Sequence, residues 1–503
     1  MISKARQIFP ALAIAILLIA ILYRFLDLGG KPLHHDESLH AYYSWVLSKS
    51  GKYRYDPMLH GPLLYYQIAL SFRAFGPSDA VSRLAPAVAG TLLVVLFAFF
   101  RRFFGGRAAL TCMLISCSSP MLVYVSRFAR HDMTSALCTL LLVYCTMRFM
   151  KVPRRRWVIL GATAVSISLV NHELTYLTLA TYLLALIYVR VTAPESEKTS
   201  SAARAAFLAA LPASLLTFCA IFIAFYSSFY TNPSGALHGL PSPWDPQSSV
   251  GYWLAQHEVR RGSQPIYYYF IVLALYEPIP LLLGGASAIG GLVSFSRTRR
   301  FVSAMTVFTM LAYSVGGERM PWLSIHPLIL LIVCCGFSLK GLRSVPIARR
   351  QALCIPLAAV AGFSFFNAWR LSYPNAADPR ELAVFTQTQV DVRNAAEAAI
   401  ASKPRRIYYD RELTWPLAWY LRTANAHIGV GDDRLDAVLS NKETPRYVGN
   451  DHDLHFRSWW IPPSGWPGFS AIARYYLFRE IWGTSQSKLF NVSIPRSTSL
   501  RLR

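Results

Sequence analysis

Residues 8–37 read IFPALAIAILLIAILYRFLDLGGKPLHHDE. The first 21 of these, 8–28, are almost wholly apolar and match the roughly 20 residues needed to cross a bilayer. Lys4 and Arg6 precede the run, as in a secretory leader. The run is long and no small-residue cleavage site follows it, so it reads as a retained first helix. The next residues invert the chemistry. His34, His35, Asp36 and Glu37 place two imidazoles and two carboxylates immediately beyond the span.

That alternation recurs along the chain. Of 503 residues, 54% are apolar and only 15% charged, well below the quarter usual in soluble domains. Further apolar stretches lie at 82–100, 108–126, 133–150, 157–170, 172–189, 206–229, 266–294, 301–315, 323–339 and 352–370, giving about eleven crossings with the first. The fifth and sixth are separated only by Asn171-His172-Glu173. The eighth is too long for one straight crossing, and Glu277-Pro278 is its expected break. The fold class is a polytopic α-helical membrane protein. Its formal charge of +24 does not signal nucleic acid, because the basic residues sit in short clusters between spans.

Those clusters set an orientation. Arg101, Arg102 and Arg107, then Lys151 and Arg154 to Arg156, then Arg190, Lys198 and Arg204, then Arg297, Arg299 and Arg300, then Lys340, Arg343, Arg349 and Arg350 occupy every alternate loop. The positive-inside rule puts them and the N-terminus in the cytoplasm, and the segment after Arg370 outside. Residues 1–370 hold 13 acidic residues, and only Glu195 and Glu197 fall in an expected cytoplasmic loop. Glu258 belongs with the outer set. An outward-facing site using carboxylates explains the skew; so does the greater length of the outer loops. All eight cysteines, Cys354 among them, fall in expected spans, which argues against a disulfide framework or a thiolate metal site.

The chain divides into a transmembrane domain at 1–370, with outer loops 29–81 and 230–264, and a C-terminal extracytoplasmic domain at 371–503. The first loop contains a half-apolar stretch, His60 to Phe75, that reads as an interfacial helix. The tail reads as a small α/β domain: a strand Arg406 to Tyr409, a helix around Trp415 to Leu421 and a strand His427 to Val430.

Four constellations carry chemistry. His34 to Glu37 supplies general-base or metal-ligand groups, supported by Asp56-Pro57 and His60-Gly61-Pro62 later in the loop. Ser126-Arg127-Phe128-Ala129-Arg130-His131-Asp132 puts two arginines on an outer loop, where phosphate recognition is one explanation and snorkelling the other. Asn171-His172-Glu173 is either a polar cavity or a capping turn. Gly316-Gly317-Glu318-Arg319-Met320-Pro321-Trp322 suits a lipid-phosphate headgroup. Glu277 is an intramembrane acid of unassigned depth.

Together, His35-Asp36-Glu37, Tyr55-Asp56-Pro57 with His60-Gly61-Pro62, Ser126-Arg127 with Arg130-His131-Asp132, and Gly317 to Trp322 resemble the GT-C superfamily of membrane glycosyltransferases. The likeness is to the branch holding protein O-mannosyltransferases and the lipid A aminoarabinose transferase, and to a prokaryotic flippase-activity-associated group within it. The tail motifs Trp415-Pro416-Leu417-Ala418-Trp419-Tyr420 and Arg457-Ser458-Trp459-Trp460 resemble the same prokaryotic group. The resemblance implies transfer of a sugar from a polyprenyl-phosphate-linked donor, in the cell's inner or plasma membrane, to an acceptor on a glycan, lipid or protein. It maps the essential acid onto Asp36 with Glu37 beside it, the second acidic motif onto His131 and Asp132, and phosphate contacts onto Arg319, Arg130 and Arg127. His35, His60, Asp56, His172, Glu173, Glu277 and Glu318 stand as further candidates. A divalent metal at Asp36, Glu37 or Asp132 is compatible with the resemblance but not implied by it. The competing reading is a non-catalytic lipid-carrier or flippase-associated component, which would need the arginines but not Asp36.

Overall fold

The computed structural model describes residues 2–193, 200–256, 264–341, 347–429, 436–441, 451–463 and 467–494, with side chains at all of these except 2–7, 347–358 and 451–453. Glu195, Glu197, Lys198, Glu258, Arg343 and Val430, and the side chains of Lys4, Arg6, Arg349, Arg350 and Cys354, lie outside the described residues.

Among the described residues, six helices are long and apolar enough to cross a membrane: Ile8–Phe25, Leu84–Phe104, Asp132–Lys151, Leu174–Val191, Ser201–Tyr226 and Pro321–Gly341. A seventh crossing results if Gly106–Ser118 and Pro120–Ser126, bent by 59° at Ser119, count as one. Pro120 explains the bend, since proline has no N–H to continue the ladder. The stretches expected at 157–170, 266–294 and 301–315 are helical, but shorter, broken or more polar than a plain crossing, and 352–370 lies within one continuous helix, Ile347–Ser372. The break expected at Glu277-Pro278 is present: helix Tyr268–Tyr276 ends there and a wider turn, Pro280–Gly284, follows. Ile14, Leu18 and Leu22 of the first helix are exposed, as side chains facing lipid are, whereas 83% of the Pro321–Gly341 window is buried. The seven described cysteines are free thiols.

The chain forms two compact units. The first comprises 1–26, 51–67 and 84–369 and holds the apolar helices. The second comprises 27–50, 68–83 and 370–503, so parts of the first long loop belong with the tail.

The second unit is built on a six-stranded sheet: β1 Gln387–Thr388, β2 Ile407–Tyr409, β3 Ala426–Ile428, β4 Ala437–Ser440, β5 Asp451–Trp459 and β6 Gln486–Ser493. The order is β1-β5-β6-β4-β2-β3. β2 runs parallel to β3 and β4, and the β1–β5, β5–β6 and β4–β6 pairs are antiparallel. Parallel β2–β3 needs a crossover, and the helix Thr414–Tyr420 provides it. Ala395, Ala399, Leu417, Leu439, Phe456 and Val492 are fully buried in the core where sheet and helices meet. Strand, helix and strand expected between 406 and 430 are all present. The helix His35–Ser50 departs from the loop expected at its start.

Candidate functional site

In the second unit, His34 to Glu37 is a helix start. The His34 N–H donates to Glu37 Oε2 at 2.9 Å, and the Asp36 N–H donates to His34 Nδ1 at 3.1 Å. Glu37 supplies its half of a capping box, and the His34 ring accepts from the second helical N–H in the way an N-cap serine or threonine does. His34-x-x-Glu37 was the sequence signal for it. Because Nδ1 accepts, His34 carries its proton on Nε2, which lies 3.1 Å from the Phe385 carbonyl.

Glu37 is fully buried against Arg83. Arg83 Nε and Nη2 donate to its two carboxylate oxygens at 2.7 and 2.8 Å. The remaining guanidinium donors go to the carbonyls of Leu28, Lys31 and Pro32, so all five N–H groups have acceptors. Burial pushes the Glu37 carboxyl up, but the charges of Arg83 and Lys31 and the hydrogen bonds outweigh it and hold the group at about 2. Glu37 is therefore an anchor. Asp36 is only partly buried. Its charge acts on Arg457, whose Nη2 donates to His35 Nδ1 at 2.6 Å. Neither Arg83 nor Arg457 was among the residues expected from sequence to serve the site.

The first unit gathers a second polar cluster. His60 Nδ1 lies 3.0 Å from Glu173 Oε2, and His172 Nδ1 lies 3.6 Å from the same oxygen. Gly61 makes this approach feasible, because a Cβ there would run into the backbone of Val170 and Asn171. The Leu63 N–H then donates to the Val170 carbonyl at 3.0 Å. The His60 ring is stacked between His172, at 4.4 Å, and Trp253, at 4.5 Å. Asn171 Nδ2 bridges the His131 carbonyl and Ser135 Oγ, both at 2.8 Å, and His131 Nε2 reaches the Gly61 carbonyl at 3.2 Å. Burial raises the Glu173 carboxyl to about 7 despite His172 beside it. Burial, aided by His60, lowers His172 to about 3.

His60, His172 and Glu173 offer ligand atoms within 4.8 Å of one another, the one such group among the described residues. Both Nδ1 atoms face the same carboxylate oxygen, Glu173 Oε2, so the three groups converge on one small region.

Asp132 opens its helix fully buried, 3.2 Å from Arg130 Nε and 3.7 Å from His326 Nε2. The Arg130 guanidinium lies over the Trp322 ring at 4.5 Å, which brings the second and fourth sequence constellations together. Arg319 donates to the carbonyls of Ser314, at 2.8 Å, and Gln264, at 2.6 Å. Glu318 sits near Tyr269. Other candidates have structural partners. Arg127 Nη1 donates to the Leu26 carbonyl at 2.5 Å, closing the end of the first helix. Asp56 caps the turn Pro57–Leu59. Glu277 accepts from Ser119 Oγ at 2.6 Å and from the Met121 N–H at 3.0 Å, at the start of Pro120–Ser126.

Apolar helices, a mixed-sheet tail unit and polar clusters at helix ends describe an integral membrane protein. Residues 59–226 match the family described as dolichyl-phosphate-mannose-protein mannosyltransferase. That stretch contains His60, Arg127, Arg130, His131, Asp132, His172 and Glu173. The fold is that of ArnT from Cupriavidus metallidurans. The apo crystal structure aligns over 98% of each chain with a TM-score of 0.61 and 14% identity. The crystal structure of that protein bound to undecaprenyl phosphate aligns over 99% of each chain with a TM-score of 0.58, also at 14% identity. No curated protein matches the chain by sequence. The resemblance read from the loop motifs is borne out.

Proposed function

We propose that this chain transfers a sugar from a polyprenyl-phosphate-linked donor to an acceptor hydroxyl on the extracytoplasmic face of the membrane. One observation carries the reading: a fold shared end to end with a protein crystallised on undecaprenyl phosphate, together with the mannosyltransferase match over 59–226. The basic alternate loops support the orientation. Within the His34 to Glu37 stretch, the loop-motif resemblance assigns the base to Asp36, while Glu37 is paired with Arg83.

In the reaction, Asp36 takes the proton of the acceptor hydroxyl as that oxygen attacks the anomeric carbon. The bond from the anomeric carbon to the lipid phosphate oxygen breaks, and the configuration inverts. The departing phosphate gains charge, which Arg319 and Arg130 stabilise. Asp132 holds Arg130 at its post. If the chain uses a divalent metal, His60, His172 and Glu173 are better placed to bind it than Glu37 or Asp132, which are committed to arginines.

Transfer of radiolabel from polyprenyl-phosphate mannose in membranes carrying the full chain tests the reading. Asp36→Asn is expected to abolish transfer with the protein still folded. An unchanged rate would remove Asp36 as base and favour a lipid-carrier binding role that needs the arginines alone.

A further inference from the structure

We infer that Arg457, on the tail's β5, is a positioning residue for the reaction: it holds the first turn of the helix carrying Asp36 through His35 and the Trp415 carbonyl. The inference rests on the reading of Asp36 as the base. All the residues involved belong to the second unit.

The contacts converge on that helix start. Arg457 Nη2 donates both to His35 Nδ1, at 2.6 Å, and to the Trp415 carbonyl oxygen. An imidazole that accepts on Nδ1 keeps its proton on Nε2, so Arg457 fixes the tautomer of the residue next to Asp36. The Trp415 ring packs at 5.6 Å from Tyr42 and 5.9 Å from Tyr43, two turns along the same helix. In the same tail motif, Tyr420 Oη donates to Asp79 and accepts the Leu33 N–H at 2.8 Å, just ahead of the helix cap.

Strand geometry explains how Arg457 reaches its partners. The β5–β6 register shifts between the His455 and Arg457 pairs. Such an irregularity re-aims a side chain that regular alternation would commit to one face. Phe456 keeps its place in the core, while Arg457 is held among polar groups. Burial lowers the Arg457 guanidinium to about 10, and the nearby Asp36 charge opposes the shift. The two tail motifs that sequence left without a role, Trp415 to Tyr420 and Arg457 to Trp460, thus act together to fix the start of the helix His35–Ser50.

The test measures transfer from radiolabelled polyprenyl-phosphate mannose by the full chain in membranes, with kcat and donor KM separated. Arg457→Gln is expected to lower kcat at least tenfold with donor KM within about twofold, because the donor contacts proposed above do not include it. His35→Ala is expected to produce a similar fall. Combining the two should cost little more than either alone, since both remove one linkage. Arg457→Lys, which keeps one donor and the charge, should recover part of the loss.

If Arg457→Gln retains the wild-type kcat, or if the two effects multiply, the inference is wrong. Should Arg457→Gln fail to fold, His35→Ala alone decides, since an unchanged kcat there equally overturns it. Asp36→Asn separates the two readings. Full activity in that variant removes the base itself; loss of activity there with normal Arg457→Gln removes only the role of Arg457.

Discussion

The Glu37 carboxylate and the Arg83 guanidinium meet edge to edge through two hydrogen bonds of 2.7 and 2.8 Å, and both side chains are fully buried. The residue pair lies 46 positions apart in sequence and ties the helix cap to the carbonyls of Leu28, Lys31 and Pro32. Removing one partner leaves the other charge buried and unpaired, at a cost of about 3–5 kcal/mol. Arg83→Ala should therefore lower the thermal midpoint of the detergent-solubilised protein sharply. The paired change Glu37→Gln with Arg83→Gln should be less damaging than Arg83→Ala alone. If the single and double variants melt alike, the pair is not what holds this turn.

The same pair sets a pH dependence at the acid end. The folded Glu37 value, about 2, lies below its ordinary 4.5, so its stabilisation is fully present above about pH 4.5 and is lost as pH falls through about 2. Melting curves between pH 5 and pH 2.5 should show a decline that Glu37→Gln lacks.

Glu173 has the opposite sign. Its folded value, about 7, lies above its ordinary 4.5. The associated stability is present below about pH 4.5 and is lost as pH rises through about 7. Glu173→Gln is expected to melt higher than the parent at pH 8 and to lose that advantage at pH 5. A gap that does not change with pH would count against a buried, reluctantly ionised carboxyl.

Arg130 and Trp322 give a prediction on activity. Arg130→Lys keeps the charge beside Asp132 but loses the planar face stacked on Trp322. Transfer should fall by about tenfold, the size of one lost charge-assisted contact. Trp322→Leu should fall in the same direction. Normal rates in both variants would place the departing phosphate elsewhere.

In the tail, Trp419 Nε1 and Tyr420 Oη both donate to the Asp79 carboxylate, at 2.8 and 2.9 Å. Hydrogen bonds to a charged group are worth about 1.5–3 kcal/mol each. Tyr420→Phe should accordingly speed proteolysis of the tail in intact membranes, with Asp79→Asn producing a comparable effect.

Much of this was legible in sequence because lipid leaves a strong mark: long apolar runs, basic alternate loops and a proline at a break are local features. The strand, helix and strand between Arg406 and Ile428 were equally readable from residue type. The start of the helix His35–Ser50 was missed because its cap uses His34 where a serine or threonine is the familiar signal. Arg83 and Arg457 were missed for another reason. Their partners lie 46 and 422 positions away, and no local pattern encodes a pairing over that distance. Residue type alone also gives no sign that polar atoms of Arg127, Asp56 and Glu277 meet partners at helix ends and turns.

Gly61 has no side chain, and so the strip around His60 lies directly against Val170 and Asn171. Those two strips are about 110 positions apart, yet each fixes the other's spacing to within an atom's width. A mutation to alanine at this unreactive position would thus be felt first as a lengthened His60–Glu173 contact. The His60–Glu173 pair inherits its alignment from the smallest residue in the neighbourhood, and a screen confined to ionisable groups would never find it.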